Sequence, residues 1–269
     1  MTDAGLLIPF FLAPFIGSFL GVLIRRIPRG EPFAAGRSHC ETCHYVLRPL
    51  DLVPILSWLF LKGRCRACGA PIAAQHTLVE LAACFVPVLT LCGYSVIGIL
   101  HGQQFSDVWP DPLAFLFDCI LGWALLALCW IDMTCLRLPD VLTLPLLLIG
   151  FCDALSLYGV SELGLEVLED RALGAAVGWG SLALVGWAYR RVRGRVGIGG
   201  GDAKLLAVAG AWTGLGGVPS ILLLASCFGL LWAMTMMARQ RRLSLTSAIP
   251  FGPPLAIATW VIRLVTQAG

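Results

Sequence analysis

The stretch Gly197-Ile198-Gly199-Gly200-Gly201-Asp202-Ala203-Lys204 lies where a polar segment gives way to a strongly apolar one that begins at Leu205. Glycine adopts backbone conformations that other residues avoid, and it lets a second backbone approach closely. Asp202 is therefore expected where a loop becomes an apolar helix. A carboxylate at the edge of hydrocarbon is costly, which makes Asp202 a candidate functional residue. An ordinary helix N-cap is the alternative interpretation.

The composition of the whole chain indicates a membrane protein. Of 269 residues, 58% are hydrophobic and 13% are charged, and the mean hydropathy is +0.84. Soluble domains carry about a quarter charged residues. Apolar runs near the roughly 20 residues that cross a bilayer recur along the chain, and none alternates like a barrel strand. We expect an all-α polytopic fold, in which helices satisfy their own backbone groups.

The sequence predicts about eight membrane-spanning helices. The first apolar run lacks a preceding basic segment and a cleavage-site pattern, so we interpret it as a retained span and not as a signal peptide. The spans divide the chain into a first helix (1–24), a polar insert (25–76) and a seven-helix domain (77–269). They are expected at residues 5–24, 77–100, 113–131, 140–160, 172–189, 203–214, 218–238 and 251–267.

Basic residues predict how these helices are oriented. Of the 19 Lys and Arg residues, 17 lie in the insert, in the loops after the third, fifth and seventh spans, or at the start of the sixth. All of these places fall on one side of the membrane if eight spans alternate. Because cytoplasmic loops carry the excess of basic residues, we expect this side to face the cytoplasm.

Two CxxC pairs in the insert, Cys40/Cys43 and Cys65/Cys68, predict a metal site. Each pair presents two thiolates to one ion, and two pairs complete a tetrahedral zinc site. Disulfides are not favoured in a segment that we expect to be cytoplasmic. Redox dithiols or an iron–sulfur cluster are the alternatives. Four sulfur ligands close the site, so the zinc would be structural.

Asp132 and Asp140 are candidate partners for Asp202, because they are expected at the same membrane face. Adjacent carboxylates do not both ionise easily, so one acts as acid and the other as base around a water. Asp140 follows Pro139 like a helix cap. Asp132 ends a helix, where the helix dipole disfavours negative charge, and it is therefore the favoured partner. A proton-coupled transporter or a zinc-stabilised scaffold are the competing classes; transporters often show inverted repeats, and none is evident here.

These motifs resemble those of the type IV prepilin peptidases, a family of membrane aspartyl proteases with a GxGD motif. Gly199-Gly200-Gly201-Asp202, followed by Lys204, matches that motif. Ile131-Asp132 with Leu138-Pro139-Asp140 matches the family's first aspartate block. Further matches are Gly17-Ser18-Phe19-Leu20, Pro54-Ile55-Leu56-Ser57-Trp58, Gly63-Arg64-Cys65-Arg66, Leu78-Val79-Glu80 and Ile249-Pro250-Phe251-Gly252-Pro253.

The resemblance implies that Asp132 and Asp202 are the catalytic pair, that Gly199, Gly201 and Lys204 belong to their site, and that the cysteines bind zinc. It implies a multi-pass protein of the bacterial inner membrane that cuts at the cytoplasmic face. The substrates would be prepilins or pseudopilins of type IV pilus or type II secretion systems. Their basic leader and N-terminal helix, together with the lipid bilayer, would be its partners, and no nucleic acid is expected.

Many family members also methylate the new N-terminal amine with S-adenosylmethionine. The resemblance makes the insert, residues 25–76, the methyltransferase part, with no residue assigned to the cofactor. The chain departs from the family pattern at Gly21, at Leu52 and at Gln75-His76. A peptidase without methyltransferase activity is therefore the alternative.

Charges also predict roles around the site. Asp202 begins a helix and Asp132 ends one, so the helix dipoles predict Asp202 as the base and Asp132 as the acid. A basic leader would be repelled by the cytoplasmic arginines and should be received by acids. Glu80 is the favoured candidate among Glu41, Asp51, Glu80 and Asp140. Asp118 and Asp153 lie inside spans, where they are expected to pair with Arg171 or Arg263 or to reach outer water.

Overall fold

The computed structural model describes residues 4–33, 36–102, 109–195, 197, 199–239 and 250–268. In these ranges the chain forms helices joined by turns, with two isolated β-bridges and no strand. The helices are α1 (Ala4–Arg26), α2 (Leu56–Phe60), α3 (Gln75–Leu100), α4 (Pro112–Cys135), α5 (Asp140–Tyr158), α6 (Glu162–Arg193), α7 (Gly200–Arg239) and α8 (Gly252–Ala268). The predicted all-α fold with a cysteine insert between the first two spans is confirmed.

Six helices of the described ranges are long and apolar enough to cross a membrane: α1 and α3 to α7. The predicted spans 203–214 and 218–238 both fall in α7, which is interrupted at Gly214, where φ is +74°. The last predicted span is α8, with 17 residues. The chain is a multi-pass membrane protein, and the count of eight crossings stays a prediction.

The chain forms two compact units. The first contains Met1–Cys92 and Asp111–Ala127, and the second contains Gly93–Pro110 and Leu128–Gly269. The insert is thus part of the same unit as α1 and most of α3. The predicted domain boundaries at residues 24 and 76 follow from span positions and stay a prediction.

Close helix contacts in the first unit depend on a small residue and a buried indole. A Cβ atom at Gly17 would lie 2.7 Å from the Cα of Glu80. The backbones of α1 and α3 are therefore in close contact at this point. The indole Nε1–H of Trp123 donates to the carbonyl oxygen of Ala83 at 2.9 Å. A hydrogen bond of this kind satisfies a polar atom that would be costly to bury unpaired.

In the second unit, α6 and α7 also approach at glycines. A Cβ atom at Gly210 would lie 2.1 Å from the carbonyl oxygen of Gly174. At the interruption of α7, the backbone N–H of Leu215 donates to both carboxylate oxygens of Asp170 on α6, each at 3.3 Å. Asp170 therefore caps the second part of α7, whose first N–H groups have no partner within the helix.

A buried charged cluster joins the helices of the second unit. The Oδ2 atom of Asp153 accepts from Arg171 at 2.7 Å and from Arg263 at 2.8 Å. Arg263 also donates to the carbonyl oxygen of Trp212 at 2.9 Å, and its guanidinium lies 5.3 Å from the centre of that indole. Asp153 has no exposed surface, and both arginines are buried. Asp153 pairs with Arg171 and with Arg263, as the sequence predicted.

Candidate active site

Asp132 lies near the end of α4, where its side chain is 6% exposed. Its Oδ2 atom accepts a hydrogen bond of 3.0 Å from the backbone N–H of Gly252, the first residue of α8. Gly252 approaches so closely that a Cβ atom there would lie 2.5 Å from the same oxygen. The carboxylate of Asp132 is therefore held against the N-terminus of a helix 120 residues further along the chain.

Asp202 is the third residue of α7 and is partly exposed. Its backbone N–H donates to the carbonyl oxygen of Gly199 at 3.2 Å, which turns the glycine-rich loop into the helix. A Cβ atom at Gly201 would lie 2.9 Å from the Cβ atom of Leu138. The absence of a side chain at Gly201 thus lets the loop after α4 lie directly against the start of α7.

The structure brings Asp132 and Asp202 close enough for their charges to interact. Both belong to the second compact unit. Beside them, the Nζ atom of Lys204 donates to the Oδ1 atom of Asp140 at 2.5 Å, which joins the start of α5 to the first turn of α7. A pair of carboxylates that share one environment supplies an acid and a base, the arrangement that hydrolysis of a peptide bond by water requires.

The helix-end argument for the roles of the two acids has to be revised. Asp132 ends α4, but the N–H of Gly252 and the N-terminus of α8 stabilise a negative charge at the same carboxylate. Asp202 begins α7 and has a comparable helix end. Each aspartate therefore lies at a helix N-terminus. The assignment of Asp202 as base and Asp132 as acid stays a prediction, and the helix dipoles alone no longer support it.

Sequence reasoning did not single out Gly252 as a partner of Asp132. The available signal was its position in the quoted stretch Ile249 to Pro253, of which Ile249 lies outside the described residues. A glycine between an aromatic residue and two prolines is compatible with a helix start. Nothing in the local pattern identifies the carboxylate that its N–H contacts.

The four cysteines of the insert come together in the first unit. The Sγ atoms of Cys40 and Cys68 are 3.9 Å apart, those of Cys43 and Cys65 are 4.0 Å apart, and all four lie within 4.8 Å of one another. A tetrahedron of thiolates around Zn²⁺, with Zn–S distances of about 2.3 Å, needs sulfur–sulfur distances of about 3.8 Å. The four side chains therefore fit a zinc ion.

Two turns of the same geometry present these sulfur atoms. The N–H of Cys40 donates to the carbonyl oxygen of Tyr45, and the N–H of Cys65 donates to that of Ala70. The residues after the second cysteines, His44 and Gly69, both have positive φ, at +56° and +71°. Hydrogen bonds from the backbone N–H groups of Cys43 and Thr42 lower the pKa of the Cys40 thiol to about 6. At Cys43 the N–H of Tyr45 lowers the pKa of the thiol, but burial and the neighbouring thiols outweigh it and raise this pKa to about 11. Cys40 is therefore the first of this pair to form the thiolate that binds a metal.

A cavity of about 390 Å³ opens beside the cysteines in the first unit. Charged side chains from α1, from the insert and from α3 line it, together with the aromatic ring of Trp58. The indole Nε1 of Trp58 is buried and has no hydrogen-bond partner. The cavity has the size of a small-molecule site and combines charged groups with an aromatic ring.

The four acids that were expected to receive a basic leader all have partners within the chain. Glu80, which is 9% exposed, accepts from the backbone N–H of Ile55 at 2.7 Å. The pairs formed by the other three are Glu41 with Arg25 and Arg29, Asp51 with Arg66, and Asp140 with Lys204. Burial alone would raise the pKa of Asp51, but the N–H of Arg48 and the guanidinium of Arg66 lower it below the usual value. A leader would have to exchange with these partners, and its reception by Glu80 stays a prediction.

Comparison with known proteins gives matches over both units. The family model of the bacterial peptidase A24 N-terminal domain matches residues 11–94, and that of the type IV leader peptidase family matches residues 119–234. No solved structure matches the chain.

Similar curated proteins extend over nearly the whole chain, and each is named prepilin leader peptidase/N-methyltransferase. The protein from Dichelobacter nodosus is 34% identical, over 98% of this chain and 92% of its own length. Those from Aeromonas hydrophila and Pseudomonas aeruginosa are 36% and 35% identical, over 95% and 97% of this chain and 89% and 90% of their own lengths. From the matched domains and these relatives, we conclude that the chain belongs to the type IV leader peptidase family.

Proposed function

We propose that this protein is a membrane aspartyl endopeptidase that removes the leader from prepilins or pseudopilins and then methylates the new N-terminus. The observation that carries the peptidase part is the approach of Asp132 and Asp202 at the ends of two helices, inside the segment that the peptidase family model matches. The distribution of basic residues supports a cytoplasmic location of this site.

In the proposed mechanism, a water molecule lies between the two carboxyl groups. The ionised carboxylate takes a proton from the water as it attacks the scissile carbonyl carbon, and the protonated carboxyl group donates to the carbonyl oxygen. The carbon–nitrogen bond then breaks, and the leaving amine receives the proton that was taken from the water. The N–H of Gly252 keeps the carboxylate of Asp132 in place during these steps.

The cavity beside the cysteines is the proposed site of methylation. Its volume of about 390 Å³ and a lining that contains both acids, such as Glu80, and arginines, such as Arg25, suit S-adenosylmethionine, which carries positive charge and a carboxylate. That cofactor, when bound, would supply the methyl group for the new N-terminal amine. The names of the relatives include both activities, so the alternative of a peptidase without methylation is not favoured.

In this proposal the cysteine cluster holds structural zinc. Four thiolates leave no open position on the ion for a substrate or a water. The ion would join the turn at Cys40–Cys43 to the turn at Cys65–Cys68, both of which contribute residues to the cavity. Zinc would thus stabilise the walls of the methylation site without taking part in either reaction.

Reconstitution with a prepilin tests the peptidase. The variants Asp132→Asn and Asp202→Asn should each lower the rate of leader removal by at least about 100-fold, because each removes one of the two proton-transfer groups. Leader removal is followed as a mobility shift and by mass spectrometry. Asp118→Asn, a buried acid of the first unit, is the matched control and should keep cleavage. Full cleavage by either dyad variant would contradict the proposal, and an intact prepilin with the unsubstituted enzyme would favour a transporter or scaffold.

Mass measurement of the mature pilin N-terminus tests the second activity. With S-adenosylmethionine present, we expect the mass of one added methyl group. Trp58→Ala removes an aromatic ring from the cavity wall, so it should slow methylation and leave cleavage unchanged. A mature N-terminus without the methyl group would restore the alternative of a peptidase alone.

A further inference from the structure

The insert exposes several large apolar side chains, and the four most exposed of them lie in or near α2. They are Leu50, Leu56, Leu59 and Phe60, which we call the apolar surface. Phe60 is 82% exposed, more than Phe11 in α1, which is 73% exposed in a helix that crosses the membrane. Exposed apolar patches of this kind mark contacts with other proteins or with a membrane.

The short helix α2 separates this surface from the cavity. Leu56, Leu59 and Phe60 have the i, i+3, i+4 spacing that puts side chains on one helix face. Ser57 and Trp58 line the cavity instead. One side of α2 is thus occupied within the unit, while the side chains on the other side are half or more exposed.

The apolar surface is attached to a membrane-spanning helix near its first turns. The backbone N–H of Ile55, directly before α2, donates to Glu80 at 2.7 Å. Glu80 is the sixth residue of α3, so this attachment lies about 8 Å along the axis from the helix start at 1.5 Å per residue. This hydrogen bond holds α2 close to the first turns of a helix that is long and apolar enough to cross the membrane.

The charges around the apolar surface match the chemistry of a membrane interface. Arg48, Lys62 and Arg64 are exposed and lie within a few residues of α2 in the sequence. Helices that lie in the interface bury an apolar face below the headgroups and keep basic residues at the level of the phosphates. Basic residues at this depth are attracted to anionic lipids.

We propose that the apolar surface inserts into the lipid layer of the protein's own membrane, with anionic phospholipid as its partner. Phe60 and its neighbours contact acyl chains, and the three basic residues contact phosphates. This contact fixes the insert, and with it the cavity, at the membrane surface. The proposal depends on the exposed face of α2 and its attachment to α3, and not on either enzymatic activity.

Photocrosslinking of the full chain in lipid nanodiscs that contain phosphatidylglycerol tests the proposal. Phe60→p-benzoylphenylalanine places the probe on the apolar surface, and Leu59→p-benzoylphenylalanine gives a second position on the same face. Val46→p-benzoylphenylalanine is the matched control, since Val46 is an exposed apolar residue of the insert outside α2. Each sample is irradiated with and without prepilin, and adducts are identified by mass.

We expect at least about fivefold more lipid adduct from positions 59 and 60 than from position 46, because an interfacial helix buries only its apolar face in the acyl region. The yield should be the same with and without prepilin. Equal lipid yields at all three positions would overturn the proposal. Adducts that form with prepilin in preference to lipid would also overturn it and would make α2 a substrate-docking element.

Discussion

At the residue scale, the close contact between Gly252 and Asp132 depends on the lack of a side chain at position 252. The N–H of Gly252 donates to Asp132 at 3.0 Å, and a Cβ atom on this glycine would lie 2.5 Å from the accepting oxygen. That distance is too short for any side chain, so a substitution must move either α8 or the carboxylate. The position of one candidate catalytic group therefore depends on the absence of a methyl group elsewhere in the chain.

We therefore predict that Gly252→Ala lowers the rate of leader removal by about 100-fold, the effect of displacing a catalytic group by about 1 Å. Gly200→Ala is the matched control. Gly200 lies in the same site, two residues before Asp202, and a Cβ atom there meets nothing within 4 Å. The measurement is the initial rate of prepilin cleavage in detergent at saturating substrate. Equal rates for the two variants would show that the contact between Gly252 and Asp132 does not position the acid.

At the scale of the structural element, the two cysteine turns have the same backbone shape but different residues at one position. Each turn needs a left-handed residue directly after its second cysteine, and the chain has His44 in one turn and Gly69 in the other. Glycine adopts this conformation without strain, whereas the conformation raises the free energy of a residue that has a Cβ atom. The second turn should therefore be the less strained of the two.

This difference predicts opposite outcomes for two substitutions. Gly69→Ala should destabilise the zinc-loaded insert by about 1–2 kcal/mol, the cost of a left-handed residue with a Cβ atom. His44→Gly should be neutral or slightly stabilising, because it relieves the same strain. Zinc retention during titration with a chelator measures both effects. A similar loss of zinc from both variants would mean that His44 acts through its side chain, for example as a replacement ligand.

At the scale of the whole molecule, the buried cluster of Asp153, Arg171 and Arg263 connects the helices of the second unit. One carboxylate oxygen receives both guanidinium groups, and its other oxygen has no partner among the described residues. Removal of one member of such a cluster leaves a charge that is buried and uncompensated, and this is costly.

Asp153→Ala should therefore destabilise the protein by about 3–5 kcal/mol, because both arginines lose their carboxylate. The triple variant Asp153→Leu, Arg171→Met, Arg263→Met should recover most of this loss, since apolar side chains of similar volume need no partner. Thermal unfolding in nanodiscs measures both. If Asp153→Ala were as stable as the unsubstituted protein, the arginines would have to find other partners or be reached by water.

Much of the architecture could be predicted because it depends on patterns that are local in the sequence. Apolar runs predicted the helices of the membrane part. The two CxxC pairs predicted a cluster in which the four sulfur atoms lie close together. The break expected between the spans 203–214 and 218–238 is present at Gly214, but the helix continues directly after it, so both predicted spans fall in α7. The proximity of Asp132 and Asp202 could also be predicted, since both were expected at the ends of spans on one face.

The parts that could not be predicted depend on contacts between distant residues. The hydrogen bond from Gly252 to Asp132 joins residues 120 positions apart, and the bond from Ile55 to Glu80 comes from an isoleucine with an unusual positive φ of +62°. Neither of these hydrogen bonds is indicated by a periodicity or a motif in the sequence. The same applies to the acids of the insert, because exposed charges in a sequence do not reveal which of them are paired after folding.

The contact between Gly252 and Asp132 also has a consequence for biosynthesis. Asp132 and Asp202 leave the ribosome well before Gly252, which begins the final helix of the described chain. Until that helix is made and folds, the nascent polypeptide carries both acids without the amide that holds one of them. A ribosome-stalled intermediate that ends before Gly252 should therefore not cleave prepilin. The enzyme would become active only after α8 has been translated.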